Sequence, residues 1–130
     1  MKLSFRHLGI ACDDIATCKG FIKSTMKVVN ESKTIFDENQ NASLCTLTLA
    51  SGVQLELITG PVVANLVKKG MTYYHTCYGV PDIEKAISFL RKKHKAVVIS
   101  EIKPSKLFNN RRVAFLYAPI GVLELLEDKK

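Results

Sequence analysis

Two histidines and two glutamates carry the chemistry this chain could perform. His7 lies in FRHLGIAC and His75 in YYHTCYGV, while Glu56 lies in VQLELI and Glu124 in VLELLE. The two histidines are 75 − 7 = 68 residues apart, and so are the two glutamates, 124 − 56 = 68. Each carboxylate sits between two leucines in an apolar run, and burying it bare is costly, so it must face water, a cation or a metal. Two imidazoles with two carboxylates suit one divalent ion, Zn²⁺, Ni²⁺, Co²⁺, Mn²⁺ or Fe²⁺, and the ligand set does not choose among them. Octahedral coordination by four side chains would leave two positions for water or substrate oxygens, which is the condition for catalysis rather than structural stapling.

The same offset recurs in residues with no such chemistry. Asp14 and Asp82, Ile15 and Ile83, Phe21 and Phe89, and the Leu-Glu-Leu runs at 55–57 and 123–125 are all 68 residues apart. A fixed period of this kind marks a duplicated supersecondary unit. In the first copy the alternating segment 5–12 predicts a strand. Asp13 or Asp14 then caps a helix to about Met26, with Ile15, Phe21, Ile22 and Met26 on or near one face. A strand is expected over 28–36, a turn at 37–41, and a hairpin of 43–50 with 53–58 across Ser51-Gly52. The second copy predicts a strand near 72–80 and a helix from Pro81-Asp82 to about His94, with Ile83, Ala86, Ile87 and Leu90 at helical spacing. Strands near 96–102, 112–117 and 121–127 follow, with Pro104 to Arg111 as the longest loop.

The fold class is therefore α+β. Two tandem βαβββ modules, 1–60 and 72–130, are joined by a linker at 61–71 that has room for a short helix. They are expected to form one structural domain, a curved mixed sheet around a metal cleft with the helices outside. Strand alternation puts His7, Gly9 and Ala11 on one face and Leu8, Ile10 and Cys12 on the other, against the helix. His75, Cys77 and Gly79 share the corresponding face in the second copy.

Composition narrows the class of function. The apolar fraction of 47% supports a folded core. No apolar run approaches the ~18 residues of a membrane span, and the opening MKLSFRHLGIACDD lacks the pattern of a secretion signal. The four cysteines, Cys12, Cys18, Cys45 and Cys77, then read as reduced thiols in a cytoplasmic protein, and none is spaced as CxxC. The formal charge of +7 is concentrated at Arg91 to Lys95, at Lys103 to Arg112 and at Lys129-Lys130, with no aromatic-rich basic ribbon. That distribution argues against nucleic acid and fits either a solvated basic surface or an anionic small-molecule substrate. His94, within RKKHK, reads as a solvated residue.

The segments HLGIACDDI, VQLELI, YHTCYGVPDIEKAI and RRVAFLYAPIGVLELLE resemble the vicinal oxygen chelate superfamily, which includes glyoxalases, bleomycin-resistance proteins and dioxygenases. The resemblance covers nearly the whole chain and is closest in flavour to the methylmalonyl-CoA epimerase and glyoxalase I branch. It implies a divalent metal at His7, Glu56, His75 and Glu124, and a homodimer. It also implies an isomerase or epimerase that removes a proton next to a carbonyl through a metal-stabilised enediolate, possibly on an acyl-CoA. Glu124 is the first candidate for the base and Glu56 the second. Arg111, Arg112, Lys103 and Lys106 are candidates for holding CoA or another phosphate, and Tyr74 and Cys77 for lining the cleft. The alternatives are a lactoylglutathione lyase of the glyoxalase I kind and a non-catalytic binding or resistance protein. The chain departs from the family twice: Ser43-Leu44-Cys45 bears no carboxylate where such epimerases carry one, and Ala11 stands where glyoxalase I has an arginine.

Overall fold

Each module passes from its first strand to its first helix through an aspartate. β1 (Ser4–Ala11) leads to α1 (Ile15–Thr25), whose N-cap Asp14 accepts a hydrogen bond from Thr17 N at 3.1 Å. β6 (Tyr73–Val80) leads to α3 (Ile83–His94), whose N-cap Asp82 accepts one from Lys85 N at 3.0 Å. An aspartate with extended backbone satisfies helix N–H groups that have no intrahelical partner. The structure, a computed structural model, describes residues 1–129; Lys130, counted above among the basic residues, lies outside them. Ten strands and three α-helices among the described residues make the fold α+β, and the chain divides into two compact units. One is His7–Tyr74; the other combines Met1–Arg6 with the chain from His75 onward.

In the His7–Tyr74 unit, β5 (Gln54–Thr59) runs parallel to β1 and antiparallel to β4 (Ala42–Leu49). β2 (Val28–Glu31) and β3 (Ile35–Asp37) both pair with β4. Leu47, Leu55, Leu57 and Cys45 from the strands meet Cys12, Ile15 and Ile22 in one buried cluster beneath α1. Phe21 and Met26 do not join it and are exposed. Phe21 lies about 120° around the helix from Ile15 at ~100° per residue, and Met26 is the C-cap, with extended backbone.

In the other unit, β10 (Gly121–Glu127) runs parallel to β6 and antiparallel to β9 (Arg111–Ala118). β7 (Val97–Val98) and β8 (Lys103–Ser105) pair with β9. Ile83, Ala86 and Leu90 of α3 pack on Ala114, Leu116, Leu123 and Leu125.

Three expectations change. The strand expected over 28–36 is broken, because the Ser32 hydroxyl accepts the Thr46 N–H at 2.8 Å and replaces a ladder bond. The strand expected over 96–102 shrinks to two residues for the same reason, the Ser100 hydroxyl accepting the Phe115 N–H at 3.1 Å. The two serines are themselves 100 − 32 = 68 residues apart, so the interruption is part of the repeat. The segment 104–111 is not one loop: β8 and a 3₁₀ turn at Lys106–Phe108 occupy it, and Asn109 and Asn110 close the turn at φ of 57° and 63°. Asparagine enters this left-handed region more readily than most residues. The linker forms a 3₁₀ turn at Pro61–Val63 and a short α2 (Ala64–Lys68), as the sequence allows.

Candidate metal centre

Alternation in β5 sends Leu55 and Leu57 into the cluster under α1 and turns Glu56 to the opposite face. The parallel register sets Glu56 beside Gly9 of β1, and His7 Nε2 stands 3.6 Å from Glu56 Oε1. The second unit repeats the arrangement. Leu123 and Leu125 pack under α3 while Glu124 faces away, beside Cys77 of β6 and Phe115 of β9. His75 Nε2 stands 3.1 Å from Glu124 Oε1, and the Phe115 ring meets the imidazole edge-on at 5.3 Å between centroids. All four residues are at most 1% exposed.

Each pair has the spacing of two neighbouring ligands on one divalent cation. Metal–nitrogen and metal–oxygen bonds of ~2.1 Å place adjacent ligands roughly 3.0 Å apart in an octahedron and roughly 3.4 Å apart in a tetrahedron. The observed 3.1 and 3.6 Å fall at these edges. An imidazole and a carboxylate, buried together, are also the donors that nitrogen- and oxygen-binding divalent ions accept. The residues of each pair therefore fit a metal ion.

The other candidates are placed as follows. Cys77 is buried on the His75 face, among Val113, Leu126 and Phe108. Tyr74 is half-buried and alternates with His75 along β6. Arg112 is committed elsewhere: its guanidinium bonds both oxygens of Glu84, at 2.6 and 2.9 Å, and both oxygens of Glu127, at 2.9 and 2.8 Å. Glu127 in turn accepts the Ile83 N–H, so this network anchors the start of α3. It holds the Glu84 carboxyl below its usual range, and Glu127 first and Glu84 second push the Arg112 guanidinium up. Arg111 donates from Nε to the Glu127 carbonyl at 2.9 Å. Lys103 and Lys106 are exposed, the first on β8 and the second in the 3₁₀ turn. His94 is exposed with its ring edge-on to Phe89, as a solvated residue would be. The thiols of Cys12 and Cys45 are raised above their ordinary range, chiefly by burial, and are not activated nucleophiles.

Arg6 and Asp128 were not singled out from the sequence, and Gly79 was placed on the His75 face without a role; all three share the second unit. Arg6 Nη2 donates to Asp128 Oδ1 at 2.9 Å, and a Cβ on Gly79 would collide with the Arg6 guanidinium. A glycine inside an otherwise regular strand is the signal that could have found them, because it marks close approach by another group.

Residues 6–115 match the family model of the Glyoxalase/Bleomycin resistance protein/Dioxygenase superfamily. A search of curated proteins gives no match. Among solved structures, a hypothetical protein, BH1468, from Bacillus halodurans C-125 is 22% identical with a TM-score of 0.77, covering 100% of this chain and 97% of its own. A variant methylmalonyl-CoA epimerase from Streptomyces coelicolor, in complex with 2-nitronate-propionyl-CoA, is 22% identical with a TM-score of 0.72, covering 99% and 100%. A glyoxalase I variant from Zea mays is 21% identical with a TM-score of 0.65; the alignment covers 95% of this chain and 42% of that longer one. At these identities the structures testify to the fold.

Proposed function

The chain belongs to the Glyoxalase/Bleomycin resistance protein/Dioxygenase superfamily, and we propose that it is a divalent-metal enzyme of the epimerase or isomerase type, acting on a proton next to a carbonyl. The carrying observation is the recurrence of one buried histidine–glutamate pair, at ligand-edge spacing, at the same offset in both modules. In this reading His7, Glu56, His75 and Glu124 serve a single ion. A bound ion would supply Lewis acidity to the substrate carbonyl. Glu124 is the base: it is buried beside Phe115 and Cys77, where little water competes for the proton it takes. Glu56 is the second acid or base.

The substrate we favour is an acyl-CoA or a similar anionic thioester. The structural likeness to an epimerase holding a CoA ligand supports it, and so does the chain's net charge of +7. A one-base lyase of the glyoxalase I kind is the second reading. It is favoured by β4, where Ser43, Leu44 and Cys45 supply no carboxylate and Thr46 stands opposite Glu56. Inversion needs a group on each face of the reacting carbon, and without Glu56 only one is at hand. None of the four cysteines forms a disulfide, and we take a reducing, cytoplasmic setting as the one such thiols suit. As in the family resemblance, we expect a homodimer.

Metal analysis of the purified protein, followed by deuterium exchange from solvent into acyl-CoA and hemithioacetal substrates, tests the proposal. One ion per chain and exchange into one of the two classes are expected. A protein that binds no divalent ion would rule the enzyme out. Metal binding with no exchange into any substrate would make it a sequestering protein instead.

A further inference from the structure

Gly79 interrupts a strand of eight residues, where glycine weakens pairing and leaves a gap in the packing. Its missing side chain points to the face that carries His75 and Cys77, because these residues alternate with Tyr78, which packs toward the core under α3. The gap is filled: a Cβ at Gly79 would run into Nε, Nη2 and Cζ of Arg6, so the guanidinium occupies the place of the missing side chain. Arg6 Nη2 donates to Asp128 Oδ1 at 2.9 Å, and Arg111 Nη2 stands 3.8 Å from the same oxygen. Arg111 Nε is held by the Glu127 carbonyl at 2.9 Å.

The charge count at this place is unusual within the unit. Two guanidiniums offer ten N–H donors and, among the described residues, share one carboxylate and one carbonyl, which leaves a net positive charge there. Arg6 and Arg111 retain 44% and 24% of their side-chain exposure, so a ligand can reach them. Arg112, next in sequence, has the opposite balance, with one guanidinium for two carboxylates, and can take no anion. Paired arginine forks match the oxygen spacing of carboxylates and phosphates.

We infer that Arg6 and Arg111, seated on Gly79 and oriented by Asp128, form a clamp for the distal anionic group of an extended substrate whose reacting end lies at His75 and Glu124. The inference rests on the proton-transfer reading above and narrows its substrate class. Gly79 is four residues along β6 from His75, roughly 13 Å at the rise of a strand. That is too far for a carboxylate on the reacting carbon, and it requires an arm of about ten bonds at the reach of an extended chain. The substrate is therefore long, with a carbonyl at one end and a carboxylate or phosphate at the other.

Coenzyme A and glutathione are the probes, the first ending in phosphates and the second in carboxylates. Calorimetric titration of the full chain with each should show binding of one, which identifies the distal group. Arg6→Gln should weaken that binding at least tenfold. Gly79→Ala, which keeps every charge and only displaces the guanidinium, should weaken it comparably. Arg91→Gln, which removes a charge from exposed helix surface, should change it less than twofold. Binding of neither probe, or equal losses in Arg6→Gln and Arg91→Gln, would overturn the clamp. If Gly79→Ala fails to fold by circular dichroism, Arg111→Gln takes its place, with the same loss expected. Metal stoichiometry measured on the same samples separates the two readings. The clamp contains no metal ligand, so a wild-type chain without metal would sink the site and leave the clamp to be judged by its own titration.

Discussion

At the scale of single residues, the chemistry depends on what surrounds Glu124. Its two neighbours in sequence, Leu123 and Leu125, lie in the core beneath α3, and the ring of Phe115 and the thiol of Cys77 flank it across the ladder. A carboxylate in that setting is shielded from water, and it is useful only if a cation or a substrate proton is its partner. Glu124→Gln keeps the shape and removes the proton acceptor. We expect it to slow solvent deuterium exchange into substrate by 10²-fold or more, the usual contribution of a positioned base, while the far-ultraviolet circular dichroism stays as in wild type. An unchanged exchange rate would move the base to Glu56. The four candidate ligands were legible in the sequence because a histidine in a strand and a glutamate between leucines both recur at one offset. Arg6 and Gly79 were not, because neither has a counterpart at that offset: positions 74 and 11 hold Tyr and Ala.

At the scale of elements, the helices and the long strands followed from local signals, and the short strands did not. Asp14 and Asp82 announce the helix starts, and the leucine alternation in 53–58 and 121–127 announces β5 and β10. The breaks at Ser32 and Ser100 depend on hydroxyls reaching a strand that is 14 or 15 residues away in sequence, which no local window contains. The clamp between α1 and β2 is similar. Lys23 first and Lys19 second hold the Glu31 carboxyl down to about 2, from an ordinary 4.5. A carboxyl lowered in the folded state stabilises it above the unfolded value, and the gain is lost as pH falls from 4.5 toward 2. Urea midpoints of wild type and Glu31→Gln should therefore differ at pH 6 and converge as pH approaches 2. The gap at pH 6 should shrink in high salt, because the pair is exposed. A gap that persists unchanged at low pH would assign the effect of Glu31→Gln to something other than charge.

At the scale of the whole molecule, duplication accounts for the two histidine–glutamate pairs and leaves the substrate to what the copies do not share. Each unit has its own helix-covered core and its own histidine–glutamate pair. Two ligands on one unit hold a divalent ion weakly and leave most of its coordination positions to water, whereas four fix it. One ion shared by both copies is the claim on which the enzyme reading stands. The most direct test is equilibrium metal titration with stoichiometry, performed on wild type, His7→Ala and His75→Ala. One ion per chain is expected, with affinity reduced at least tenfold by either substitution. Two ions per chain, or full affinity retained when one histidine is removed, would contradict it.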